Sequence, residues 1–167
     1  AHFSPAWFIP VVGNLIVPVV GVEHAPADVS WLFFAVGIVF AVVLLVIFMY
    51  RMVFHQPLHD RHLPTLFILI APPAVGFIAY SRLVPDLDTF GRILYFSGLF
   101  LTLLLFTQAG RFIQLRFFLS WWAYSFPLAA ISIASLVMFE RSGSDLYRYL
   151  GLGLLTMLTG IVALLLV

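Results

Sequence analysis

The stretch VFAVVLLVIFM (residues 39–49) is apolar on every side. A surface helix of a soluble domain keeps a polar face, and a membrane strand alternates apolar and polar residues over about ten positions. Neither period is present here. The stretch reads as the middle of a helix whose solvent is lipid, and it extends to about residues 31–54, enough for the roughly 20 residues that cross a hydrocarbon core.

The whole chain repeats this pattern. Apolar segments at about residues 5–21, 63–80, 90–110, 117–139 and 146–167 alternate with short polar joints. Of the 167 residues 63% are hydrophobic and only 9% are charged, whereas a soluble domain carries roughly 25% charged residues. The expected fold is therefore an all-α integral membrane protein, a single transmembrane domain over residues 1–167 with six transmembrane helices. Short joints make consecutive helices antiparallel neighbours, so the six form three hairpins.

The same composition excludes several functions. The net charge is +1, and there is no Lys and no basic run, so no nucleic-acid partner is expected. With no Cys, disulfides and thiolate chemistry are out. No Ser/His/Asp constellation faces a shared cavity, so no enzyme is expected. His55, His59 and His62 lie beside Asp60, but Pro57 breaks their register, and they read as a solvated joint with no metal. Gly151 and Gly153 imitate the start of a dinucleotide fingerprint, but Thr156 replaces the third glycine and no strand precedes them, so no cofactor is implied. The start at Ala1 shows no signal peptide, and the chain is read as beginning inside a longer protein.

Arg51, Arg61, Arg111 and Arg116 gather in the two joints after segments two and four, against one acid, Asp60. By the positive-inside rule those joints are cytoplasmic. Segments one, three and five carry prolines, namely Pro10 and Pro18, Pro72 and Pro73, and Pro127, whereas the even segments carry none. Proline removes a donor and frees a carbonyl, which in a membrane needs a partner or a water-filled cavity. The odd helices are thus expected as a kinked inner ring, with the even helices outside facing lipid. No charge lies deep in any segment, which favours passive conduction over proton-coupled transport.

Three stretches are distinctive: WFIPVVGNLIVPVVG (7–21), IAPPAVGFIAY (70–80) and SWWAYSFPLAAISIAS (120–135), the last containing WWAYSFP. With them the chain resembles the slow-type anion channel family, which also holds tellurite-resistance membrane proteins and C4-dicarboxylate (malic acid) transporters. The resemblance implies ten helices in five hairpins around a quasi-fivefold pore, of which this chain supplies the last three hairpins and lacks the first four helices. It also implies a homotrimer with one pore per protomer in the plasma (inner) membrane. The pore phenylalanine of that family falls on Phe126, beside Pro127. A phenyl ring across a narrow lumen blocks ions by excluding water; alternatively Phe126 simply packs against neighbours. Helical spacing puts Trp122, Ala129, Ala130 and Ile133 on the face of Phe126. Gly13 and Asn14 are the small and polar candidates of the first segment, and Asn14 either donates to an anion or satisfies a carbonyl disturbed by Pro18. Three functions stay open: a passive channel for small anions gated by Phe126; a carrier or exporter of malate, other C4-dicarboxylates or sulfite; and a non-transporting membrane subunit.

Overall fold

The computed structural model describes residues 4–55, 58–114 and 117–166; Pro57 and Arg116 lie outside the described residues. Every described element is helical. A 3-10 turn, Pro5–Trp7, leads into α1 (Phe8–Gly21), followed by α2 (Ala27–Phe54). A 3-10 segment, Asp60–Ile70, runs directly into α3 (Ala71–Leu83), and α4 (Thr89–Phe106) returns. After the short α5 (Ala109–Ile113), a 3-10 segment, Leu119–Tyr124, runs into α6 (Ser125–Ser142), and α7 (Asp145–Leu165) closes the chain. Five spans are long and apolar enough to cross a membrane: Ala27–Phe54, Asp60–Leu83, Thr89–Phe106, Leu119–Ser142 and Asp145–Leu165. The sixth expected helix, Pro5–Gly21, is apolar but shorter.

Four of the five prolines stand just after a change from 3-10 to α-helix. Pro10 and Pro127 are the third residues of α1 and α6, and Pro72 and Pro73 the second and third of α3. The first-turn N–H groups of an α-helix have no intrahelical acceptor, so proline costs nothing there. Only Pro18 of these five stands well inside an α-helix. What precedes the prolines is a tighter helix. An α-helix would pair the Ile68 carbonyl with Pro72, which has no N–H; the 3-10 geometry instead lets Ile68 accept from the Ala71 N–H. The same tightening precedes Pro127, where the Ser125 N–H donates to Trp122. Pro72 and Pro73 account in this way for the end of the 11-residue Asp60–Ile70, which also holds Pro64, although 3-10 runs beyond three or four residues are uncommon.

The three hairpins pack side by side. α3 lies between α1 and α6, and each of these three packs on its own return helix, α2, α4 or α7. α2 also reaches α3, and α4 reaches α6. Burial follows this order: 67% of the most apolar window of Asp60–Leu83 and 50% of that of Leu119–Ser142 are buried, against 22%, 39% and 11% for α2, α4 and α7. The odd spans are inner and the even spans outer, as the proline pattern implies.

One device recurs at all three hairpins. Each outer helix places a glycine where it crosses its inner partner. A Cβ on Gly37 would meet the Leu15 side chain at 2.6 Å, one on Gly98 the Ala74 nitrogen at 3.4 Å and Ile131 at 3.3 Å, and one on Gly151 the Ser132 carbonyl at 3.2 Å and Leu136 at 2.9 Å. Lipid offers no hydrophobic drive between helices, so close backbone approach through small residues supplies the attraction. Gly151 is thus a packing residue, whereas a Cβ on Gly153 would meet nothing within 4 Å.

Buried hydroxyls are satisfied mostly by their own helices. Ser132 and Ser135 donate to the carbonyls of Leu128 and Ile131 at 2.7 and 2.8 Å, and Thr102 donates to Gly98 at 2.8 Å. The Tyr95 hydroxyl also lies 3.1 Å from Ser135 Oγ and joins α4 to α6. Because Ser135 keeps its Ile131 bond, Tyr95→Phe is expected to lower stability by only about 0.5–1 kcal/mol. A double-mutant cycle with Ser135→Ala, followed by thermal unfolding in detergent, checks this value.

The two ends of the bundle are tied differently. At one end Arg82 pairs with Glu23. Arg141 donates to the carbonyl of Pro85 and, at 2.5 Å, to that of Ser81. Asp88 caps α4 by accepting from the Gly91 N–H at 2.8 Å, and it accepts from the Tyr80 hydroxyl at 2.5 Å; these bonds, the Gly91 N–H first, hold its carboxyl below the usual carboxylate range. At the other end Ser120 donates to the Arg61 carbonyl at 2.6 Å.

Candidate permeation path

The starts of the three inner helices surround one cavity of about 380 Å³. Ile9, Val12, Gly13 and Ile16 of α1 form one wall, and Ala123, Phe126 and Pro127 form the other. Ile68 and Ala71, at the junction leading into α3, line it between them. Every lining residue is apolar. This is the place where the change of helix type occurs in two spans, so the proline-driven local structure and the cavity coincide.

Phe126 is the second residue of α6 and is 47% exposed, although it belongs to one of the most buried spans. Its neighbours at helical spacing divide. Trp122 and Ile133 are exposed on the same side, and Ala129 is partly so. Ala130 is in the core and does not share the cavity. Gly13 lines the same cavity as Phe126, and a Cβ there would meet nothing within 4 Å. Asn14 donates an amide N–H to the Pro10 carbonyl at 2.9 Å, one turn back on its own helix, and not to the carbonyl disturbed by Pro18. Pro10 is exposed, Pro18 and Pro72 are buried, and Pro73 is partly buried.

Several lining residues were not singled out by the sequence. Ile9 and Ile16 could have been found, because they share the i, i+4, i+7 face of Gly13. Ile68, Ala71 and Ala123 could not, since their position depends on how three hairpins pack. Among the described residues no three His, Asp or Glu side chains converge as metal ligands. Of the histidines in the joint, His62 accepts from Arg61 Nε at 3.1 Å.

A family model described as voltage-dependent anion channel matches residues 1–167. The S-type anion channel SLAH2 of Arabidopsis thaliana is 30% identical over 133 residues, covering 80% of this chain and 26% of that protein. The guard cell S-type anion channel SLAC1 of the same plant is 27% identical over 164 residues, 98% of this chain and 30% of its own length. An uncharacterized transporter of Methanocaldococcus jannaschii is 25% identical over 175 residues, 92% of this chain and 51% of that protein. The chain thus spans between about a fifth and a half of the length of the relatives it matches. The match of the family model over every residue, together with the six apolar helices, shows that this chain belongs to the voltage-dependent anion channel family of multi-pass membrane proteins.

Proposed function

We propose that this chain forms part of a passive path for small anions, with Phe126 as its gate. The observation that carries the reading is the position of Phe126: a half-exposed ring at the start of an inner helix, on the wall of an apolar cavity that Gly13 also lines. A narrow apolar lumen dries and so closes to ions, and a ring that leaves it lets water and ions return. No charged side chain lines this cavity, so an anion would meet only weak fields, which suits rapid release. Similarity to proteins named as S-type anion channels supports anions as the cargo. The family resemblance likewise supports a pore completed by four further helices, a homotrimer, a plasma (inner) membrane location and cytoplasmic placement of the Arg-rich joints.

The test is current across planar bilayers containing the protein in asymmetric potassium chloride. An anion channel gives a current that reverses near the chloride potential. Saturable uptake of labelled malate or sulfite without such a current would instead establish a carrier. The open side of Gly13 makes a second prediction. Gly13→Leu places a branched side chain in the cavity that Phe126 lines and is expected to cut anion current several-fold with little change in thermal stability. An unchanged current would remove the cavity from the path.

A further inference from the structure

A second cavity, of about 330 Å³, lies on the other side of the gate-bearing turn. Its walls come from the end of α4, from α5, from the Leu119–Tyr124 segment, from α6 and from the second half of α7, with Phe106, Phe112, Trp121, Tyr124, Leu128 and Met157 among them. It is about twice the roughly 150 Å³ of an engineered apolar cavity that takes one benzene. Two features distinguish it from a packing void. Trp121 Nε1 and the Tyr124 hydroxyl are buried without a hydrogen-bond partner among the described residues, and Tyr124 is 94% buried, being 6% exposed. An unpaired donor in hydrocarbon is costly. The second feature is charge. Residues 107–118 hold Arg111 and Arg116 and no acid, and Arg111 is exposed on α5 between the lining residues Ala109 and Phe112.

We propose that this cavity binds one acyl chain of an anionic phospholipid, with the phosphate held by Arg111. The chemistry fits from end to end. An apolar cavity at the ends of two spans receives the chain. Trp121 and Tyr124 line the cavity, and their donors, now closed off within the packed side chains, would gain an acceptor once the two side chains turn toward the ester carbonyl at the head of the chain. The cationic α5 sits at the level where headgroups begin, and Trp and Tyr favour that interface. The site has a consequence for the path. Trp121, Tyr124 and Leu128 line the lipid cavity, while Phe126 and Pro127 of the same turn line the other. A seated chain stiffens that turn and biases the ring of Phe126. This consequence rests on reading Phe126 as a gate; the binding site itself does not.

The experiment is native mass spectrometry of the protein with dioleoyl phosphatidylglycerol, dioleoyl phosphatidylcholine or oleate, alongside bilayer currents in the first two lipids. Wild type is expected to retain phosphatidylglycerol at least fivefold better than phosphatidylcholine. Ala109→Trp, which fills the cavity, should lower that retention about tenfold. The exposed and structurally mild Arg111→Gln should abolish the preference while leaving phosphatidylcholine unchanged, and it keeps the test alive should the Trp variant fail to fold. Equal retention of the two phospholipids by wild type, equal retention by wild type and both variants, or retention of oleate alone would each overturn the site. Currents that differ between the two lipids in wild type and not in Ala109→Trp would support the link to the gate. Absence of current in every lipid counts against the channel reading and leaves the retention result standing.

Discussion

Phe126→Ala is expected to raise anion current by tenfold or more, with the reversal potential still near that of chloride. The ring is the largest side chain on its cavity wall, and its loss opens the space between α1 and α6 without touching the core, since Phe126 lies outside the buried cluster. A tenfold gain requires only about 1.4 kcal/mol off the barrier. That is modest for widening an apolar constriction enough to hold water. Thermal unfolding measured beside the currents separates the two roles open to this residue. A gate gives high current and nearly unchanged stability. A packing phenylalanine gives unchanged current and a stability loss of about 3 kcal/mol or more. The second pattern would remove Phe126 from the path.

The largest structural effect is expected from Gly98→Leu. A Cβ at this position is already tight against Ile131 and the backbone nitrogen of Ala74. The further carbons of leucine have no room, because Ala74 and Ile131 are fully buried parts of α3 and α6. Backbone cannot swing aside as a long side chain can, so α4 must move away from both inner helices. The expected loss is about 3 kcal/mol, at the upper end of overpacking costs, and the Tyr95–Ser135 contact is lost with it. Unfolding in detergent checks the size, and Gly98→Ala is the graded control, expected to cost about 1 kcal/mol. A leucine variant as stable as wild type would show that the hairpins are not held by this crossing. The contrast with Gly13→Leu is instructive: the same substitution, on the inner helix α1, enters open space.

Much of the fold was legible from residue type alone. The run at residues 39–49 cannot be anything but lipid-facing helix, and α2 is indeed among the least buried spans. The alternation of proline-bearing and proline-free segments marked the inner and outer helices, because an interrupted ladder needs protein or water around it. The site was legible only in part. Phe126 and Gly13 were found and do line one cavity. Ala130 lies one turn on from Phe126 within the same α-helix but is in the core, because helical spacing groups residues on a face without fixing how far round that face the neighbouring helices reach.

The residues themselves determined that this chain lives in a membrane, where its apolar segments lie, and where a helical ladder loses a donor. Those are consequences of transfer free energy and of the missing proline N–H, which act on each segment by itself. Which faces meet was decided only by the tertiary structure. Gly37, Gly98 and Gly151 look like any of the 11 glycines until the inner helices are laid against them, and Ile68, Ala71 and Ala123 line a cavity only because α1 and α6 stand on either side of α3. In lipid the segments are almost equally apolar on every side, so hydropathy does not single out a face. Close packing between backbones does, and it depends on three hairpins at once.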